Sequence, residues 1–179
     1  MVISRLAITD VRNVRRAQLQ GLTPVTVLYG QNGSGKTSVL EAIHILSSAR
    51  SFRSHKLGPV INRDAEECVV FGNVCSSGDG NALNLGVQRS RNNGGQIKIA
   101  GRNASNTSEL AECLPVQVIN SDSFSLLEGS PSVRRRFLDW GVFHVEHEFH
   151  QVWKLAQRCL KQRNSLLRSG RMSDAELAV

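Results

Sequence analysis

Eight consecutive residues, Gly30-Gln31-Asn32-Gly33-Ser34-Gly35-Lys36-Thr37, constrain this chain more than any other stretch of it. They fit the phosphate-loop pattern G-x-x-x-x-G-K-[ST], and so do their flanks. Val25 to Tyr29, just ahead, is a β-branched run of the kind that forms a buried strand. Val39, Leu40, Ile43 and Leu46, just behind, recur at helical spacing with polar Ser38, Glu41 and His44 between them. The chemistry explains the residue types. Glycines let the backbone curl so that successive N–H groups point inward at a β-phosphate, and the following helix adds its positive end. Lys36 reaches the β- and γ-phosphates as a mobile point charge, and Thr37 offers a hydroxyl to Mg²⁺. A strand, loop and helix in this order predict an α/β nucleotide-binding fold.

Binding is not hydrolysis. A phosphate-loop ATPase also needs an acidic residue at the end of a second buried strand to hold Mg²⁺. No convincing run of four apolar residues followed by Asp or Glu occurs here. RRFLDW has only Phe137 and Leu138 ahead of Asp139, in a segment that reads as helix, and PVINRD is weaker still. No catalytic residue is identifiable in the sequence.

Around the loop, the period of the chain changes twice. Ile3 to Thr9 reads as a strand, followed by DVRNVRRAQLQG, where apolar residues thin out towards a turn at Gly21. In the middle third, CVVFGNVCS, ALNLGVQRS and QIKIAG are short β-like runs separated by SSGDGN and NNGG, which predicts antiparallel hairpins and not a βαβ repeat. SELAECL reads as a short helix with Asn106 and Glu109 as a capping pair, and VQVIN reads as another buried strand. Ser130-Pro131 starts the helical last third, and a longer helix runs from about Glu146 to Gly170. On it, Trp153, Ala156, Leu160 and Leu167 share one stripe and Lys154, Arg158, Lys161 and Arg168 another.

At 179 residues the chain has the size of one ordinary domain, and no apolar run approaches a membrane span. The N-terminus lacks a signal-peptide layout, and the four cysteines lie far apart without a CxxC pair, so a reduced, cytoplasmic protein is expected. The net charge of +7 is uneven: Gln151 to Arg171 holds six basic residues and no acidic one. Such a balance favours a polyanionic partner, nucleic acid first. His144, His147 and His150 read as surface histidines, since no further ligands cluster with them.

Three further stretches carry a resemblance: TDVRN near the start, ARSFRS after the phosphate-loop helix, and DSFSLLEGSPSVRRRFLD from Asp122 to Asp139. Together with the loop, in this order, they resemble the RecF family of bacterial recombination mediators, DNA-repair ATPases with a head of the ABC and SMC type. The last stretch matches that family at Asp122, Gly129, Pro131, Arg134, Arg135 and Asp139, while Ser121 stands where the family usually has proline. The resemblance covers essentially the whole chain. It implies an α/β head lobe with an antiparallel meander over 1–130 and the start of a helical arm domain over 131–179. The longer members carry a signature motif and a Walker B strand in their second half, and neither is found here.

By position, the resemblance implies that Gly30 to Thr37 hold ATP and Mg²⁺, with Arg12 and Asn13 approaching the nucleotide and Arg50 or Arg53 meeting DNA. It further implies an ATP-dependent homodimer that clamps duplex DNA near single-strand junctions, helps load recombinase in gap repair and the SOS response, and works with RecR and RecO. Two other readings fit the loop alone. One is a small kinase, against which stand the meander and the lack of an Asp-x-Asp pair. The other is a nucleotide-binding module without turnover.

Overall fold

The computed structural model describes residues 1–56, 58–75, 82–92, 94–146 and 148–169. They belong to two compact units, Met1–Val118 and Ile119–Val179. The first opens with a hairpin, β1 (Val2–Val11) and β2 (Val14–Gln20), closed by Arg12 and Asn13. Residues 14–20, whose apolar character looked too thin for a strand, form one because Val14, Ala17 and Leu19 pack against the core between exposed arginines and glutamines. β3 (Glu67–Cys75), β4 (Ala82–Ser90), β5 (Gly95–Ile99) and β6 (Arg102–Asn103) extend the hairpin to an antiparallel sheet ordered β2-β1-β3-β4-β5-β6. The meander expected of the middle third is therefore present; SSGDGN and Asn93 of NNGG lie outside the described residues.

One face of the sheet is covered by α1 (Lys36–Ser48) and α2 (Ser108–Cys113). Leu6, Ile8, Val70, Val74, Leu85, Val87 and Ile99 from the strands meet Ala42, Ile45 and Leu46 of α1 and Leu110 of α2 in a single core. Gly72 in β3 admits α1 closely: a Cβ there would lie 2.5 Å from Leu46 Cδ2. α1 turns differently from its sequence pattern. Leu40 is half exposed, while Ser38 and Glu41, which alternate with the apolar positions, are buried. The reason lies in what covers that side of the helix, described below.

Two expected strands are not strands here. Val25 to Tyr29 and Val116 to Asn120 run irregularly, with Tyr29 92% and Ile119 87% exposed. A β-branched run becomes a strand only when a neighbour takes its N–H and C=O groups, and no described segment pairs with either. The sequence pattern recognised their apolar character and not the absence of a partner.

α2 is capped as its sequence suggests. Asn106 Oδ1 accepts from the Ser108 and Glu109 N–H groups at 2.9 and 3.3 Å, and Glu109 Oε1 accepts from the Ser105 hydroxyl and N–H at 2.7 and 2.8 Å. The Ser105 hydroxyl, the Ser105 N–H and then Arg102 pull the Glu109 carboxyl down to about 2. A depressed carboxyl stabilises the fold above its unfolded value and stops doing so as pH falls towards its folded one. Acid unfolding is thus expected to steepen below about pH 4.5, and Glu109→Gln to remove part of that slope in thermal melts taken at stepped pH. An unaltered acid limb in the variant would refute the assignment.

In the second unit a 3-10 turn over Ser121–Phe124 leads into α3 (Ser125–Glu128), α4 (Pro131–Val145) and α5 (Phe149–Ser169). Pro131 occupies the first turn of α4, where its missing N–H costs nothing. Within this unit α3 packs against both the 3-10 turn and α4. The stripe residues Trp153, Leu160 and Leu167 are all exposed. Gly170, Arg171 and His147 lie outside the described residues.

Candidate phosphate-binding site

Gly30, Gly33 and Gly35 sit at φ 143, 82 and 97, conformations that side-chain-bearing residues rarely adopt, so the loop curls as the motif requires. Gly35 is doubly constrained, since a Cβ there would also lie 2.9 Å from Val14 Cγ2. Lys36 begins α1 and folds back over the loop, its Nζ donating to the Gly30 and Gln31 carbonyls at 2.8 and 2.7 Å. No carboxylate pairs with it among the described residues. Gln31, Asn32, Ser34 and Thr37 are exposed, and the Ser34 N–H donates to Gln31 O at 3.3 Å.

The hairpin turn holds this loop from beneath. Asn13 Nδ2 donates to Gly33 O at 2.6 Å and its Oδ1 accepts from the Ser38 hydroxyl at 2.7 Å, so one side chain ties the loop to the first turn of α1. Arg12 sits at the left-handed φ of 56. Its Nε and Nη2 grip both oxygens of Glu41 at 2.9 and 2.7 Å, and its Nη1 donates to Pro59 O at 2.6 Å. The Arg12 backbone is fixed as well, its N–H on Val60 O at 2.7 Å and its C=O on Asn62 Nδ2 at 2.7 Å. A strained φ persists only where the surroundings over-determine it, as here.

Glu41 is the residue that sequence reading missed. It is fully buried, and besides Arg12 it accepts from the Ser51 hydroxyl at 2.5 Å and from Arg53 Nη1 at 3.5 Å. Burial raises its carboxyl, but the Arg12 and Ser51 hydrogen bonds and the Arg12 and Arg53 charges outweigh that and leave it below the ordinary value. Ser51 Oγ also accepts the Arg53 and Ser54 N–H groups at 2.9 and 3.0 Å. One carboxylate therefore anchors the hairpin turn and the loop after α1 to the phosphate-loop helix. The cluster holds two guanidinium charges against one carboxylate, and Arg53, only weakly engaged, is exposed. Arg50 is exposed too, and its carbonyl faces His44 Nδ1 at 2.8 Å. A hint lay in the sequence: a glutamate about one and a half turns into an apolar helix, between segments rich in arginine.

The remaining motif residues lie in the second unit. Arg134 Nη1 donates to Gly129 O at 2.8 Å, and Asp139 Oδ2 accepts from Trp153 Nε1 at 3.1 Å, joining α4 to α5. Asp122 Oδ2 accepts from Asn120 Nδ2 at 3.1 Å. Arg135 is exposed.

A triphosphate fits the first-unit site on the donors present: inward-curling glycines, a helix N-terminus and an unpaired ammonium. For a divalent cation the fit is partial. Thr37 supplies one hydroxyl, and no group of three or more His, Cys, Asp or Glu among the described residues converges to hold a metal.

Comparison with known proteins agrees with this geometry. Residues 2–133 match the family model described as RecF/RecN/SMC N terminal domain. The chain is 53% identical over 179 residues to the DNA replication and repair protein RecF of Pseudomonas syringae pv. tomato, covering 100% of this chain and 48% of that protein. It is 52% identical to the RecF of Azotobacter vinelandii, covering all of this chain and 49% of that protein. It thus spans about half the length of the curated relatives it matches. A solved structure of the recombination mediator RecF with ATP superposes with a TM-score of 0.82 at 26% identity, over 97% of this chain and 48% of that one. A structure from work on ATP-driven dimerization of SMC ATPases shares the fold, with a TM-score of 0.64 at 18% identity over 78% of this chain and 99% of that one. The phosphate-loop fold is of the ABC and SMC type, and the chain belongs to the RecF/RecN/SMC N-terminal domain family.

Proposed function

We propose that this chain binds Mg-ATP through Gly30 to Thr37 and serves in DNA replication and repair as the nucleotide-gripping part of a clamp on duplex DNA. The observation that carries the reading is Lys36, an ammonium at the positive end of a helix, held among the described residues by two loop carbonyls and no carboxylate. A cation there opposes the helix dipole unless an anion joins it. The names of the relatives point the same way, to ATP and to DNA replication and repair. Asn13 shapes the loop and Thr37 supplies a hydroxyl to Mg²⁺. Arg12, through Glu41, fixes the turn beneath. Arg50 and Arg53 face DNA phosphates. Residues 1–130 act as the head lobe and 131–179 as the start of an arm. ATP bound between two copies of the full-length protein joins them, RecR and RecO are its partners, and the setting is cytoplasmic. No described helix is long and apolar enough to cross a membrane.

Two titrations test this. Mg-ATP is expected to bind without appreciable turnover, since no group of three or more His, Cys, Asp or Glu among the described residues converges to hold the metal. Duplex affinity is expected to fall with salt at a log–log slope of about −5, the value for six phosphate contacts. Phosphate transfer to a small metabolite, with no salt-sensitive duplex binding, would return the small kinase. Robust hydrolysis dependent on Lys36 would mean that the chain supplies a catalytic acid.

A further inference from the structure

The face of the sheet opposite the core has a composition of its own. Alternation along the strands puts Ala7 of β1, Val69 and Phe71 of β3 and Gly86 of β4 there, in adjoining register positions. All four are half-buried, and none belongs to the hydrophobic core. At Gly86 lies a shallow cavity of about 340 Å³, its lining including Phe71, Val69, Gln88, Gln96 and Lys98. A glycine inside a strand weakens it and often marks a place where something approaches closely. Gly72 has such a reason within the chain, since it seats Leu46, but Gly86 has none. A Cβ there would find Lys98 Cβ at 3.9 Å and Phe71 Cδ2 at 4.0 Å, both ordinary contacts, and its φ lies outside the left-handed region. Charge on this face is one-sided as well. Arg5 faces Asn73 across β1 and β3, Arg16 of β2 faces Thr9, and Lys98 of β5 faces Gly86. All three cations are exposed and make no ion pair among the described residues. The amides between them are already engaged, Asn84 with Asn73, Gln96 with Asn103, and Gln88 with Glu67 of β3.

We propose that this face is a docking surface for an acidic amphipathic helix of a protein partner. An apolar side chain of that helix seats on Gly86 beside Phe71 and Val69. Carboxylates on its two flanks meet Arg5 and Arg16 on one side and Lys98 on the other. An apolar centre within a polar rim is the anatomy of a protein interface. The spacing suits a helix: β1 and β5 lie three strand intervals apart, about 14 Å, against a helix diameter of about 10–12 Å with side chains. Nucleic acid is the poorer match, because phosphates laid over Phe71, Val69 and Gly86 gain nothing from covering apolar surface. The proposal rests on neither the nucleotide site nor the clamp.

The test uses the full chain and a fluorescent peptide of about 18 residues, long enough as a helix to span β3. Its heptads carry leucine at a and d and glutamate at e and g, and a control peptide carries lysine in place of glutamate. Anisotropy is expected to show the acidic peptide binding wild type at least about tenfold more tightly than the basic one. Gly86→Val fills the cavity with a side chain that strands favour. Its melting temperature should therefore rise by about 2–4 °C while affinity for the acidic peptide falls about tenfold. Lys98→Glu should weaken the acidic peptide about tenfold and strengthen the basic one, a reversal that a merely structural lysine would not produce. Leu160→Ser, on the exposed stripe of the basic helix α5, controls for peptide captured there and should leave affinity unchanged. Equal affinity for the two peptides, or acidic-peptide binding indifferent to both Gly86→Val and Lys98→Glu, would overturn the surface. A DNA duplex that displaces the peptide and loses affinity in the same variants would assign the face to nucleic acid and overturn the protein partner. Should Gly86→Val not fold, Lys98→Glu carries the charge-reversal test from an exposed position.

Discussion

Lys36→Ala is expected to weaken Mg-ATP binding about a hundredfold, since two charge-assisted contacts of about 1.5 kcal/mol each disappear. The same substitution should barely alter the free protein. Among the described residues its ammonium donates to the carbonyls of Gly30 and Gln31, and it sits at the helix end where positive charge is disfavoured. A melting temperature within about 2 °C of wild type is therefore expected, with nucleotide-induced stabilisation lost. The paired measurement is what discriminates. A lysine that only closed the loop would cost stability when removed and leave nucleotide affinity nearly unchanged, and that pattern would refute the phosphate-loop assignment.

Glu41→Ala should show the opposite signature, a loss of about 3–5 kcal/mol in stability before any nucleotide is added, because it strands a charged partner in a site built around it. Glu41 is fully buried and accepts from Arg12, Ser51 and Arg53, so its removal unfastens three segments at once. Denaturant melts measure this directly. Arg12→Met in the same background should recover part of the loss, since the orphaned guanidinium goes with it. A loss below about 1 kcal/mol would mean that water takes over the carboxylate's role and that the cluster contributes little. Acidification acts on the same group in the same direction. A carboxyl held below its ordinary value stabilises above that value, and its contribution fades as pH falls through the folded one.

Local signals in this chain were legible where local contacts decide the outcome. The glycine loop, the capping of α2 by Asn106 and Glu109, the proline at the start of α4 and the hairpin meander all follow from neighbours close in sequence. What the sequence concealed depends on distant partners. Glu41 pairs with Arg12 across 29 residues, so a polar residue that seemed to face solvent turned inward and half exposed Leu40. Val25 to Tyr29 carries the composition of a buried strand, yet composition cannot say that the pairing strand is missing from the described residues. Residues 14–20 erred in the other direction: arginine and glutamine side chains hid the short alternation Ala17-Gln18-Leu19-Gln20, with Val14 packing against the core at the strand's start.

The close seat of Leu46 over Gly72 has a mechanical side. A helix resting on a smooth sheet can slide, but one with a side chain sunk to 2.5 Å from a missing Cβ is pegged at that point. Rotation about the peg is the motion that the ties at Ser38 and Glu41 then resist. Lys36 lies about 15 Å along the axis from Leu46 and Ser48 about 3 Å beyond it, so α1 is an unequal lever. Any displacement at the phosphate loop reaches the far end reduced about fivefold, and a small push at the far end is magnified by the same factor at the loop. Filling Gly72 with a side chain would lift the fulcrum.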